Sequence, residues 1–171
     1  MKTEDFSFHL PEELIAQEPS DPRDACRLML LSKIEQKIED RHFYDLPQLL
    51  RAGDVLVMNN SRVLPARMLF EFEGKEVELF LLRRLQGTDW LALGKPGKIL
   101  CVGKTFMIAP GFTFEVLEVL DDGQRKVRFH CLEEKLDALI EQYGHTPLPP
   151  YIKNSHSKPE DYQTVYAKFN G

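Results

Sequence analysis

Six short β segments follow one another between residues 66 and 131, and this run limits the fold more than any other feature of the sequence. They cover residues 68–72, 77–82, 90–93, 105–108, 114–120 and 126–130. Turn signals separate them: Glu73-Gly74, Gln86-Gly87-Thr88, Lys95-Pro96-Gly97, Ala109-Pro110-Gly111 and Asp122-Gly123. Glycine supplies the positive φ that tight turns need, and proline pre-sets φ where the chain enters them. Short strands at a spacing of roughly 8–12 residues predict a small barrel or a sandwich. Asp122-Gly123, between two β segments, is the clearest hairpin signal. Beyond them Leu132, Leu136, Leu139, Ile140 and Tyr143 recur at helical spacing, and Gly144 is placed to end that helix.

The flanks read differently. Phe6, Phe8 and Leu10 alternate with Ser7 and His9, the period of a half-buried strand. Pro11, Glu12 and Glu13 suit a helix start, and Pro19 and Pro22 hold that helix to about two turns. Leu28-Met29-Leu30-Leu31 predicts a buried strand, with residues 36–43 pairing back onto it. The turn at Ile34-Glu35-Gln36 lacks the usual glycine or asparagine. Asp45 is positioned to cap a short helix over residues 46–51, closed by Gly53. Val55-Leu56-Val57-Met58 predicts another buried strand, running into Asn59-Asn60-Ser61-Arg62. Pro147, Pro149 and Pro150 then forbid regular structure, and Thr164-Val165-Tyr166 offers one more strand. Proline- and asparagine-rich edges on both sides suggest that the β run is inserted into something else.

Composition excludes several classes. The chain has 171 residues, 43% hydrophobic and 29% charged, a globular balance unlike collagen or coiled coil. No stretch approaches the roughly 20 apolar residues of a membrane helix. Met1-Lys2-Thr3-Glu4-Asp5 has no apolar run behind it, so no signal peptide is expected and the chain reads as cytoplasmic. Cys26, Cys101 and Cys131 are too far apart for a disulfide framework or a zinc knuckle. The net charge of −5 lies wholly in residues 1–24, with seven acidic and two basic side chains. An acidic chain does not coat nucleic acid non-specifically, but the balanced remainder leaves room for a local basic face.

The common chemical motifs are missing: no Walker loop, dinucleotide fingerprint, His-Glu-x-x-His or Cys-x-x-Cys occurs. Gly94-Lys95-Pro96-Gly97-Lys98 fits a tight β turn better than a phosphate cradle, because no helix follows it. Asn59, Asn60 and Arg62 stand after an expected strand, where α/β sheets gather ligands; they suit a base or a ribose. Asparagines that simply turn the chain fit as well. Arg23 and Arg27 flank Asp24 and offer forks for phosphate, or for surface ion pairs; Arg62 and Arg67 pose the same choice. Tyr151, Tyr162, Gln163 and Tyr166, beside rigid prolines, suit base stacking or an ordinary packed loop. His9, His42, His130, His145 and His156 show no ligand spacing, and no metal is expected.

Five blocks, in order, carry a resemblance. They are FSFHLPEELIAQEP at residues 6–19, PRDACRLMLL at 22–31, FYDLPQLLRAGDVLVMNNSRVLPAR at 43–67, GHTPLPPYI at 144–152 and YQTVYAK at 162–168. Together they resemble the N-terminal part of the S-adenosylmethionine:tRNA ribosyltransferase-isomerase family of queuosine biosynthesis. The family often has Asp-Thr where this chain has Asn60-Ser61, so a carboxylate possible there is absent. The family also continues into a second half that opens with an Ala-Pro-Thr-Ala-Gly-Leu-His-Phe stretch of the active site. These 171 residues do not contain it.

The resemblance implies an α+β fold, with a β-barrel domain at residues 63–146 inserted into an incomplete α/β domain of residues 1–62 and 147–171. It implies transfer and isomerisation of the ribosyl moiety of S-adenosylmethionine onto 7-aminomethyl-7-deazaguanine at the tRNA wobble position. The product is epoxyqueuosine, with adenine and methionine released. S-adenosylmethionine is then a consumed substrate, no cofactor is needed, and the complete enzyme is expected to be a monomer away from membranes. By motif position, Asn59, Asn60 and Arg62 would lie near the reacting nucleoside. Arg23 and Arg27 would contact an anionic group or sugar, and Tyr151, Gln163 and Tyr166 would line the substrate pocket. The chain alone is expected to be inactive, and no catalytic base can be named in it. A non-catalytic RNA-binding module that keeps the fold is the alternative, and a purely supporting barrel is a third reading.

Overall fold

The structure, a computed structural model, describes residues 2–153 and 158–170. The chain divides into two compact units: Met1–Asn60 with Leu148–Ala167, and Ser61–Pro147 with Lys168–Gly171.

The first unit holds little regular structure. Strands β1 (Arg27–Ser32) and β2 (Lys37–His42) form an antiparallel hairpin with Leu31 opposite Ile38. Its turn dispenses with glycine by holding Gln36 at φ 51°, a left-handed conformation uncommon for a residue with a Cβ. Helix α1 (Leu46–Leu49) is shorter than the predicted 46–51. Asp45 precedes it, but its carboxylate accepts the His42 N–H at 3.0 Å and so fixes the turn before the helix.

Four expected elements, three strands and a helix, fail to form in this unit. The strand at residues 6–10 and the helix after it are replaced by single 3₁₀ turns, Thr3–Phe6 and Glu12–Leu14. Residues 55–58 form no strand, and Val55 and Val57 are 84% and 94% exposed. Residues 164–166 lie in a turn region and are not a strand. The three strands fail for a common cause. A strand needs a neighbouring edge for its backbone and a layer to cover its apolar side chains. Among the described residues of this unit no side chain is buried. Even β1, predicted buried, leaves Met29 and Leu31 largely exposed.

The second unit is a nearly closed antiparallel barrel, as the spacing of turns predicted. After the short β3 (Ser61–Arg62) come β4 (Arg67–Phe72), β5 (Lys75–Arg84), β6 (Asp89–Lys95), β7 (Thr105–Ala109), β8 (Phe112–Val119) and β9 (Arg125–Phe129). The sheet order is β4-β5-β6-β9-β8-β7. Glu73 and Gly74, at φ 51° and 73°, join β4 to β5 through a turn whose twist matches the strands. Register shifts in β5–β6, β7–β8 and β8–β9 add the local bends that curl a sheet. The edge strands β4 and β7 meet through Phe72 and Phe106, whose rings lie 4.9 Å apart. Helix α2 (Glu133–Tyr143) adds Leu136 and Ile140 to the core. The terminal strand β10 (Phe169–Asn170) pairs in parallel with β3.

One outer-face acid is also buried. Asp89 is only 7% exposed, and its carboxylate accepts Arg128 Nε at 2.6 Å and Nη2 at 2.9 Å, with Lys126 Nζ at 3.6 Å. The hydrogen bonds from Arg128 hold the Asp89 carboxyl below the ordinary carboxylate range. A depressed folded value stabilises above the unfolded one, about 3.9, and that stability is lost as pH falls through the folded value. Asp89→Asn should therefore flatten the acid limb of the barrel's stability curve while lowering stability near pH 7. Urea midpoints from pH 7 down to pH 3 measure this. Parallel curves for variant and parent would remove Asp89 from the account.

Candidate functional site

Most of the sequence-predicted site residues belong to the first unit. Arg23 is in the 3₁₀ turn Arg23–Ala25, which follows the Asp21-Pro22 cis peptide. Its guanidinium, though the residue is exposed, makes two hydrogen bonds. Nη1 donates to the Asp161 carbonyl at 2.5 Å and Nη2 to the Gln163 carbonyl at 3.1 Å. The fork therefore grips the return segment across the turn Pro159–Tyr162. Gln163, a predicted pocket residue, is thereby held by Arg23 through its carbonyl.

A second clasp was not foreseen. Gln17 Nε2 donates to the carbonyls of Ile15 and Tyr151 at 3.2 and 3.1 Å, and its Oε1 accepts the Lys153 N–H at 2.7 Å. Lys153 Nζ reaches Glu12 at 2.8 Å. One amide side chain thus ties residue 15 to residues 151 and 153 and carries Tyr151, another predicted pocket residue. The only sequence signal for it was its place in the block at residues 6–19.

Arg27 begins β1, and its exposed side chain makes no hydrogen bond or ion pair among the described residues. Asn59 and Asn60 are exposed and follow an irregular stretch in place of the expected strand. Tyr151 and Tyr166 present roughly half of their surface to solvent, at 53% and 42%. Tyr162, which belongs with them, is half-buried, and burial followed by the nearness of Tyr151 pushes its hydroxyl up. Arg23 thus holds Gln163, Gln17 holds Tyr151, and Tyr162 lies near Tyr151, while the side chains of Arg27, Asn60 and Tyr166 are exposed.

Arg62 belongs to the other unit. It lies on β3 and forms an ion pair with Glu141 of α2, both side chains being largely exposed. Arg67 pairs with Glu78 at 2.9 Å and so serves the β4–β5 ladder. Gly97 in the glycine-lysine turn accepts Arg125 Nη2 through its carbonyl at 2.9 Å, which makes that turn structural. Among the described residues no group of three His, Cys, Asp or Glu converges to hold a metal ion; His156 lies outside the described residues.

Chemically, the eight predicted residues supply guanidinium donors, amides and phenol faces. Such groups bind anions, ribose hydroxyls and stacked bases.

A family profile described as queuosine biosynthesis protein matches residues 3–171. The chain belongs to that family. The S-adenosylmethionine:tRNA ribosyltransferase-isomerase of Desulfitobacterium hafniense is 48% identical over 100% of this chain and 51% of its own length. That of Clostridioides difficile is 44% identical with the same coverage. The chain thus spans about half the length of the curated relatives it matches. A crystal structure of the S-adenosylmethionine tRNA ribosyltransferase of Thermotoga maritima is 39% identical. The match covers 81% of this chain and 48% of that one, at a TM-score of 0.42. No helix among the described residues is long and apolar enough to cross a membrane.

Proposed function

We propose that the chain acts in tRNA modification as the first part of an S-adenosylmethionine:tRNA ribosyltransferase-isomerase in the cytoplasm. The ribosyl moiety of S-adenosylmethionine is transferred and isomerised onto 7-aminomethyl-7-deazaguanine at the tRNA wobble position. Epoxyqueuosine forms, and adenine and methionine leave. No cofactor takes part, since S-adenosylmethionine is consumed. The observation that carries this reading is the 48% identity to the Desulfitobacterium hafniense enzyme along the whole chain.

The chemistry divides into binding and reaction. A sulfonium activates the carbon beside it for displacement and proton loss, which calls for a general base in an oriented, water-poor pocket. The residues of this chain answer the binding half. Arg27 suits a phosphate, Asn59 and Asn60 the nucleoside, and Tyr151 and Tyr166 a base splayed from the anticodon loop. Arg23 acts by positioning Gln163.

Adenine release from S-adenosylmethionine, with tRNA carrying the modified base, tests the proposal. The chain alone should release none. The chain mixed with the half of the Desulfitobacterium hafniense enzyme that it does not span should release adenine, and Arg27→Ala should lower kcat/KM for tRNA at least tenfold. Tight tRNA binding by the mixture without any adenine release would replace the proposal with a non-catalytic RNA-binding module.

A further inference from the structure

One charge in the barrel has no counter-charge. Arg125, on β9, is only 9% exposed, and no carboxylate pairs with it among the described residues. Backbone carbonyls hold its guanidinium instead. Nη1 donates to that of Gly123 and Nη2 to that of Gly97, while Nε is buried without a partner. A buried ion that lacks an opposite charge is costly. The turn at residues 94–98 closes over it. A Cβ on Gly97 would lie 2.7 Å from Arg125 Nη2, and one on Gly94 would lie 3.5 Å from Arg125 Cδ and 2.1 Å from Cδ1 of the buried Leu100. The turn is therefore fixed from its inner side and has little room to rearrange. Its carbonyls are all engaged: Pro96 accepts from Ile99 N–H at 3.1 Å, Gly97 from Arg125, Lys98 from the Cys101 thiol at 3.2 Å and Ile99 from Cys101 N–H at 2.9 Å. Its donors are not. The N–H groups of Gly97 and Lys98 and the ammonium groups of Lys95 and Lys98 have no partner among the described residues, and all three residues are exposed. Glu78 stands opposite Lys95 across the β5–β6 ladder, but its carboxylate pairs with Arg67 at 2.9 Å.

We propose that the turn at residues 94–98, backed by Arg125, is a binding site for a phosphodiester group of RNA. Successive unpaired N–H groups form a concavity that suits an anion, and two ammonium groups on the same turn supply charge-assisted donors. The guanidinium behind the turn adds a fixed positive charge that no carboxylate cancels. The absence of a helix after the turn rules out a helix-borne phosphate cradle and leaves this smaller one, built from the turn's own amides. That the phosphate belongs to RNA, and is not free in solution, rests on the function proposed above. The site gives the barrel a part in placing the substrate. A phosphodiester contact adds affinity and salt dependence and reads no sequence.

Amide NMR spectra of the 171-residue chain, titrated separately with a tRNA transcript and with inorganic phosphate against chloride of equal ionic strength, test this. The amides of Gly97 and Lys98 should shift and saturate with tRNA, and phosphate should shift the same two at higher concentration. Lys95→Ser with Lys98→Ser should weaken tRNA binding at least about fivefold and lower the slope of log affinity against log salt by about one to two. Lys95→Arg with Lys98→Arg should restore both. Neither pair should change the melting of the barrel, read from Trp90. Binding of tRNA with these amides unmoved would overturn the inference, as would no shift with either titrant. A shift with phosphate and none with tRNA would overturn it too, because the site would then take a free anion. Adenine release in the mixture described above separates the two readings. Shifted amides without release would sink the proposed activity and leave the site standing, and release with unmoved amides would do the reverse.

Discussion

Phe114→Ala should lower the melting temperature of the barrel by at least about 12 °C, and in a marginal background should leave it unfolded. Phe114 is fully buried on β8. Its ring meets Phe106 at 5.3 Å, Phe70 at 5.6 Å and Phe129 at 5.9 Å. It therefore sits between β4, β7 and β9, at the place where the sheet curls toward closure. Removing a buried phenylalanine costs about 3–5 kcal/mol, from lost transfer energy and the cavity left behind. Each kcal/mol moves the midpoint by about 4–8 °C in a domain of this size. Trp90 is the sole tryptophan and lies in the core of the same unit, so its fluorescence follows this unit and not the other. Phe114→Leu, which keeps most of the volume, should recover over half of the loss. A fall of less than about 4 °C for Phe114→Ala would mean that the aromatic cluster does not dominate the core.

Gly144→Ala should be nearly as damaging, for a reason unrelated to hydrophobic burial. Gly144 ends α2, yet with φ −81° and ψ 157° it has the extended backbone open to any residue. The constraint is space. A Cβ there would lie 1.9 Å from the Pro65 carbonyl oxygen, 2.6 Å from that of Ile140 and 2.9 Å from the Pro65 carbonyl carbon. All three are backbone atoms, so no side chain can swing aside. The neighbours are also pinned: Arg67 and His145 exchange N–H···O bonds at 3.1 and 2.8 Å, and Gly144 N–H donates to Ile140 at 2.8 Å. Overpacking of this kind costs about 1–3 kcal/mol and more where the backbone must move, so a loss at or above the upper figure is expected. Chemical denaturation of the variant measures it. A loss under about 1 kcal/mol would show that Pro65 yields freely.

The barrel was legible because each of its strands carries its own evidence. Alternation places Met68 and Phe70, Val77, Leu79 and Leu81, and Val127 and Phe129 on one face, and the glycines mark where the chain reverses. All of these side chains are buried against one another. What the pattern missed inside this unit was polar: Asp89 and Arg125 are buried because particular partners reach them, and no periodicity reveals a partner. The first unit was misread for the opposite reason. Alternation at residues 6–10 and the apolar run at 55–58 state what a segment would do beside a neighbour, and no described neighbour is there. Among the site residues, Arg23 was legible as a fork, but nothing local indicated that it would hold two carbonyls more than 130 positions away. Gln17 was invisible, since an amide acquires a role only from what the fold brings to it.

The paired hydrogen bonds between Arg67 and His145 have a consequence for how this architecture can vary. They join the entrance and the exit of the barrel at one spot, so everything between them is an excursion that starts and finishes at the same door. Lengthening, shortening or exchanging that excursion need not disturb the chain on either side, provided the two ends still meet. The barrel can therefore diverge at the pace of a detachable cassette, without calling for a matching change in the segments outside the door.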